Sequence, residues 1–471
     1  MSCWVKFCHF SLVIYKINKA LNILHMANQI LFEAPLIPIT HQSGQTTTHS
    51  ETIATLTAST LTWVENGINQ VLSLDDVVGA SDLSAPAGIN KDINQPHRFV
   101  IHAYPMVEKR WGGIFGQRTR VLQEYQFACT DKTAVQTWIT AIRNILQCLP
   151  LDAPPQPPRR LGVIINPASG QKKAKQIFNQ VRPLLEQSYC ELTITETTGR
   201  NDGNLRERGL DIGAIDGLVI VGGDGTIHEV INALANDADK MAIQKIPLGV
   251  IPGGTGNGLC QSLLAISGEP YSPINAAFLI AKGRVMALDI GLVAQANRRY
   301  YSFLALSWGL VSDVDIESDG LRFLGALKND VYALIRIIFL RIYPGKISFV
   351  PYESHEPDNW QVLEGDFILF WAMNVPWATY NLQPAPKACL DDGAIDLIII
   401  RRGISKLQLI RAFLQAVDGS HISLPNVEYY KVQRFRLEPV NNQGILAVDG
   451  EKVDSQPIEV VMRRGLARVF C

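Results

Sequence analysis

The residue best placed to do chemistry is Asp224, within Leu218-Val-Ile-Val-Gly-Gly-Asp-Gly-Thr-Ile-His-Glu-Val-Ile-Asn-Ala-Leu234. Gly222, Gly223 and Gly225 surround it and allow a tight turn with exposed backbone N–H groups. Such a turn opening a helix attracts anions, because unpaired amides and the helix dipole both point at it. A carboxylate there repels phosphate, so Asp224 has the chemistry of a general base or of a metal ligand. The plainer reading is a helix cap. Strand, glycines, carboxylate and helix together favour a phosphate site. A second glycine turn, Pro252-Gly-Gly-Thr-Gly-Asn257, strengthens that reading, and Asn166-Pro-Ala-Ser-Gly170 is a third turn of small and polar residues.

These turns need strands to carry them. Residues 161–165, 218–221 and 246–251 are apolar runs, as expected of parallel strands covered on both faces. Ile227, Val230, Ile231 and Leu234 repeat with helical spacing, and 192–195 adds a further strand. Strands alternating with helices predict a doubly wound α/β domain over 161–286, with ligands at the carboxyl ends of the strands. From 287 to 471 the rhythm changes to strands with few helices, expected at 285–293, 300–306, 346–350, 366–373, 395–401, 431–438, 445–448 and 458–463. That pattern predicts a β-sandwich with inserted helices. Within it, the acidic run Asp313-Val-Asp-Ile-Glu317 precedes Arg322 and Lys328. Residues 329–340 read as an apolar helix, either a wall for an acyl chain or buried core.

With 471 residues the chain has material for about three domains. It is 47% hydrophobic and 18% charged, and its net charge of −1 gives no general attraction to nucleic acid, which is not an expected partner. Eight cysteines without a CxxC pair indicate neither a zinc site nor a disulfide framework and suit a reducing, cytoplasmic setting. No apolar run reaches the ~18 residues of a membrane span. Residues 1–53 are the least readable: they lack the features of a secretory signal, while a mitochondrial presequence and a start at Met26 both stay open. Polar residues 37–52 are expected to be flexible.

Residues 54–149 read as a small domain of strands (60–64, 70–74, 98–104, 125–129) closed by a helix over 131–146. Val135, Trp138, Ile139 and Ile142 share one face of that helix, and Thr130 or Asp131 is its N-cap. The architecture resembles a pleckstrin-homology-like domain. Lys109, Arg110, Arg118 and Arg120 flank Trp111-Gly-Gly-Ile-Phe-Gly116, a hairpin tip suited to a phosphoinositide or membrane surface, or else an ordinary solvated hairpin. A Pro-rich linker, 150–160, follows.

Gly222-Gly-Asp-Gly-Thr226 together with Gly254-Thr-Gly-Asn257 resembles the catalytic domain shared by diacylglycerol, ceramide and sphingosine kinases, and the NAD kinases share the first motif. Within that group, Ser307-Trp-Gly-Leu-Val-Ser-Asp-Val-Asp-Ile-Glu-Ser318 with Arg322-Phe-Leu-Gly325 is similar to the sphingosine (sphingoid long-chain-base) kinases. Ala447-Val-Asp-Gly-Glu451 matches the family's late Asp-Gly-Glu. The resemblance runs from residue 161 to the C-terminus.

It implies that Asn166, Gly222, Gly223, Gly225 and Thr226 hold ATP phosphates, and that Gly254, Thr255, Gly256 and Asn257 complete the nucleotide cleft. Asp224 would take the proton of a primary hydroxyl. Asp315, with Asp313 beside it, would meet the amino and hydroxyl head group, whose ammonium suits a carboxylate. Arg322, Lys328, Asp449, Gly450 and Glu451 would line the ATP site, the two cations facing the phosphates and Glu451 supporting Mg2+ as well. Three positions depart from the family pattern. Lys328 stands where Arg is usual, which keeps charge but loses a bidentate contact. Ala305 replaces an expected Ser, and Thr197-Thr-Gly-Arg-Asn-Asp-Gly203 diverges.

The expectation is therefore an ATP- and Mg2+-dependent kinase of sphingosine, dihydrosphingosine or phytosphingosine. It would be cytoplasmic and peripheral at membranes, with a homodimer open. Ceramide or diacylglycerol kinase activity, and a non-catalytic protein of the same fold, are the alternatives.

Overall fold

The computed structural model describes residues 29–471 other than 43–44, 84–96, 112–113, 170–171, 198–209, 237–241, 255, 297, 319–327, 355 and 357. Thr255, Arg322 and residues 198–203 therefore lie outside the described residues, as does the side chain of Lys328. Contacts divide the chain into two units: residues up to Pro158 with Leu184–Tyr189, and Arg159–Pro183 with Cys190–Cys471.

In the first unit an antiparallel path runs through Ile68–Ser73, Thr60–Glu65, Thr52–Thr57, Ile30–Gln42, Gln123–Cys129, His97–Ala103 and Val77–Asp82. The long strand Ile30–Gln42 serves both halves, pairing with Thr52–Thr57 through its first part and with Gln123–Cys129 from Ile37 onward. This corrects the expectation that 37–52 is flexible: the stretch buries Pro38 and Ile39 at its start, and Gln45–Thr48 folds back onto it as a further strand. Its threonines are good strand formers despite their polarity. The helix Lys132–Leu146 begins at Asp131, whose carboxylate accepts the Ala134 N–H at 2.8 Å. Val135, Trp138 and Ile142 are fully buried beneath it, with Trp138 stacked on Phe99. The basic hairpin pairs Met106–Trp111 with Ile114–Arg120. Arg118 is exposed, whereas Arg120 turns inward to Asp76 at 2.8 Å and is no surface cation.

The second unit holds a parallel sheet in the order Cys190–Glu196, Arg159–Ile165, Gly217–Gly222, Leu248–Pro252. Every residue of Gly217–Gly222 and Leu248–Pro252 is buried, which is why neither strand alternates in sequence. Chain order reverses between Arg159–Ile165 and Gly217–Gly222, so a crevice opens at their carboxyl ends. The antiparallel C-terminal half continues the same hydrogen-bonded sheet. Its last strand, Ile458–Phe470, meets the parallel strands through Leu248 and Val469 and also pairs with Val285–Gln295 and Glu428–Pro439. The strand expected over 300–306 is two, Arg298–Ser302 and Ala305–Gly309. The break falls at Phe303 and Leu304, whose amides turn to the Asp449 carboxylate. The acidic run is helical, within Leu310–Glu317.

Candidate active site

Three turns meet at the crevice where strand order reverses. Asn166 follows the first parallel strand. Its side-chain N–H donates to Thr226 Oγ1 at 2.8 Å while its Oδ1 accepts the Ala168 N–H at 3.1 Å. Gly222 and Gly223 end the third strand and open the helix Asp224–Ala235. Gly253 and Gly254 end the fourth and lead to the helix Gly258–Ile266.

The two glycine turns pack backbone against backbone, with the Gly253 N–H donating to Gly222 O at 2.8 Å. A Cβ at Gly254 would stand 2.4 Å from Gly223 Cα, which no side chain tolerates. Glycine is therefore required here by close approach. Thr226 is buried, and its hydroxyl would lie 2.9 Å from a Cβ at Gly222, so it braces the turn from beneath. Asn257 is likewise buried and left-handed (φ 60°), and its amide bonds Gly254 O and the Tyr271 hydroxyl.

Asp224 is the first residue of its own helix and does not cap it. Its Oδ2 instead accepts the Gly258 N–H at 2.9 Å, at the start of the neighbouring helix, where Asn257 supplies no side-chain cap. The same oxygen lies 3.0 Å from a Cβ built on Gly256. Burial pushes the Asp224 carboxyl up to about 6, against the pull of the Gly258 and Leu259 amides, and the Asp449 charge adds to the rise. The group is thus fixed in direction and poised to hold or release a proton near neutrality.

The C-terminal half contributes Asp449, Gly450 and Glu451. Asp449 (φ 50°) and Gly450 (φ 83°) form the two-residue turn of the hairpin Leu446–Val448 with Glu451–Val453, which demands left-handed residues and favours Asp-Gly. Asp449 is buried. Its carboxylate accepts the Ser302 hydroxyl (2.7 Å), the Leu304 and Ala305 amides (2.9 and 3.0 Å) and the His228 Nδ1–H (2.8 Å). Its oxygens are turned into the protein, so it serves as a tie and does not face phosphate. Glu451 is exposed, with Oε1 3.3 Å from a Cβ built on Gly225, directly against the Asp224 turn. Gly450 lies beside Asp315: a Cβ there would be 3.8 Å from Asp315 Oδ2.

Asp313 and Asp315 therefore part company. Asp315 is exposed next to the Asp449–Gly450 turn. Asp313 is buried and bonded to Arg336 (3.0 Å), Arg341 (3.3 Å) and the Tyr343 hydroxyl, so its charge is already paired within the protein and it anchors the helix Leu310–Glu317.

His228 went unnoticed in the sequence. Burial pulls its pKa down, but the hydrogen bond and charge of Asp449 and the charges of Glu451 and Glu229 outweigh that and hold it above the usual value. The one available signal was its place four residues after Asp224, on the same helix face.

The site fits a nucleotide and its metal. Packed glycines and a helix start make a phosphate cradle. Among the described residues no group of three His, Cys, Asp or Glu side chains could cage a metal alone. Glu451, at the cradle beside Asp224, suits Mg2+, which is held by one or two carboxylates and shares substrate phosphates.

Comparison with known proteins agrees with this architecture. Residues 160–293 match the diacylglycerol kinase catalytic domain, and 363–471 match the YegS C-terminal NAD kinase beta sandwich-like domain. Sphingosine kinase 2 of Arabidopsis thaliana is 33% identical over 88% of this chain and 94% of its own length. Human sphingosine kinase 1 is 32% identical over 64% of this chain and 88% of its own. Sphingoid long chain base kinase 4 of Schizosaccharomyces pombe is 29% identical over 64% and 72%. Among solved structures, a chain provisionally assigned as a diacylglycerol kinase from Bacillus anthracis shares the fold, with a TM-score of 0.52 and 23% identity over 68% of this chain and 97% of that one.

Proposed function

Because the chain belongs to the sphingosine kinases of the diacylglycerol kinase catalytic-domain family, and is a lipid kinase, we propose that it transfers the γ-phosphoryl group of ATP to the primary hydroxyl of a sphingoid long-chain base. The observation that carries this reading is Asp224, held by the Gly258 amide at the mouth of the phosphate cradle, with Asp315 beside the Glu451 hairpin. Asp224 accepts the hydroxyl proton as the oxygen attacks the γ-phosphorus, and the bond to the β-phosphate oxygen breaks in line. Asp315 pairs with the substrate ammonium, a charge that ceramide and diacylglycerol lack. The Gly222 to Gly225 and Gly254 to Asn257 turns seat the phosphates. Glu451 would hold Mg2+, which would supply charge neutralisation at the phosphates, and Arg322 and Lys328 would add cations from the segment after Asp315.

The substrate lives in a bilayer, so the enzyme works at its surface. The helices Lys328–Ile338 and Lys406–Gln415 touch, with Lys406 Nζ donating to Ile338 O at 2.8 Å. Between them they leave Val331, Leu334, Ile335, Ile338, Phe339, Leu407 and Leu414 exposed. An apolar face of this extent on a lipid kinase suits insertion into the bilayer. In the first unit, the strand path and closing helix support a pleckstrin-homology-like reading, with a phosphoinositide at its basic hairpin.

The test is transfer of labelled phosphate from ATP to sphingosine, dihydrosphingosine, phytosphingosine, ceramide and diacylglycerol, with Asp224→Asn alongside. Labelling of the free bases alone, and a fall of about 10²- to 10⁴-fold in kcat for the variant with ATP still bound, is expected. Labelling of ceramide or diacylglycerol instead overturns the substrate assignment, and near-normal kcat in Asp224→Asn overturns the base.

A further inference from the structure

We propose that His228 is a positioning residue that keeps Glu451 in register with Asp224, an inference that rests on Glu451 being the metal-side carboxylate of the proposed kinase site. Asp224, His228 and Asn232 follow one another at four-residue spacing and line one face of the helix Asp224–Ala235. That face is a polar seam onto the C-terminal half. Asn232 uses both ends of its amide on one residue, accepting the Tyr301 N–H and donating to Tyr301 O, each at 2.9 Å. One residue further on, the Ser302 hydroxyl donates to Asp449, and His228 donates to the other oxygen of the same carboxylate. Asp449 is the first residue of the two-residue turn, so Glu451 is fixed by the turn geometry once Asp449 is placed. Its carboxylate then returns to Gly225, next to the base. The contacts close a ring that begins and ends on the same helix turn.

Asp449 keeps four other donors if the imidazole is removed: Ser302, Phe303, Leu304 and Ala305. The hairpin therefore stays folded and only its tie to the Asp224 helix is lost. Glu451 becomes free to drift from the phosphate cradle, while the glycine turns and Asp315 are untouched. His228 thus acts on metal-bound nucleotide and not on nucleotide alone.

The experiment is calorimetric binding of a non-hydrolysable ATP analogue, with and without Mg2+, to wild type, His228→Ala, His228→Asn and Glu451→Gln, supplemented by the Mg2+ dependence of the rate. The asparagine amide can reproduce the Nδ1–H. Expected for His228→Ala is about a tenfold loss of affinity for the metal-bound analogue, the size typical for partners of metal ligands. Affinity for the metal-free analogue, lipid KM and melting temperature should stay close to wild type, and His228→Asn should recover most of the loss. Combining His228→Ala with Glu451→Gln should add little to Glu451→Gln, since both act through one group. Wild-type affinity for the metal-bound analogue in His228→Ala overturns the proposal. An equal loss with and without metal, or full additivity with Glu451→Gln, overturns it too. Because binding is read directly, this outcome is separate from which lipid is phosphorylated.

Discussion

At the scale of single residues, the site turns on how carboxylates are held. Asp224 is raised to about 6 chiefly by burial, with amides of the neighbouring helix pulling the other way. A base must be ionised to accept a proton, so activity belongs above that value. We expect kcat/KM to fall about tenfold per pH unit below roughly pH 6, with a single titration in the free enzyme. A pH profile flat down to pH 5 would exclude Asp224 as the titrating base. The other acidic residues show what a sequence can and cannot reveal. The motif around Asp224 was legible because glycines, strand and helix stand together in one short stretch. Asp313 and Asp315 look alike in sequence, yet one is buried in an ion cluster with Arg336 and Arg341 and the other is exposed. Their difference is set by chain more than twenty residues downstream. His228 was illegible for the same reason, its partner Asp449 lying 221 residues away.

At the scale of elements, the apolar runs of the parallel strands and the glycine turns were readable, because burial on both faces and tight turns leave strong compositional marks. Residues 37–52 were misread because Thr-rich strands look like a linker, and the Gln126–Ala128 partner of Ile37–Ile39 is remote in sequence. The acidic run gave no sign of the helix Leu310–Glu317, because Asp313 is held inside by Arg336, which lies more than twenty residues on. The tightest element contact in the site is between the two glycine turns. Gly254→Ala would place a methyl 2.4 Å from Gly223 Cα, so one turn must move. Because the Asp224 carboxylate bonds the Gly258 amide just past the moved turn, base and cradle shift together. A displacement near 1 Å is enough for a loss of about a hundredfold. Steady-state kinetics of Gly254→Ala should show at least that loss in kcat/KM for ATP. Wild-type kinetics would mean the turns do not form the phosphate site.

At the scale of the whole molecule, the exposed apolar side chains bear on how, under the proposed function, enzyme and lipid would meet. The sequence offered two fates for residues 329–340, an acyl wall or buried core. Neither accounts for Phe339 at 70% exposure, nor for Leu407 at 79% and Leu414 at 70% on the helix that touches this one. Scattered apolar side chains on a surface need no explanation, but two touching helices that each expose several do. The helix Lys328–Ile338 also connects to the site: its Tyr332 donates to Glu317 at 2.6 Å, and its Arg336 holds Asp313 on the helix that carries Asp315. A bilayer against this face thus sits on the element that positions the proposed head-group carboxylate. Fully burying a leucine is worth about 1.5–3 kcal/mol, so partial insertion still amounts to about tenfold in partition for each side chain. Leu407→Ser and Leu414→Ser should each weaken sedimentation with phosphatidylcholine vesicles by about that factor, and the double variant by about a hundredfold. Both residues lie outside the described site, so turnover of detergent-dispersed substrate should stay near wild type while turnover of vesicle-borne substrate falls. Equal loss in detergent and vesicles would point to damaged folding, and unchanged vesicle binding would mean that the bilayer is met elsewhere.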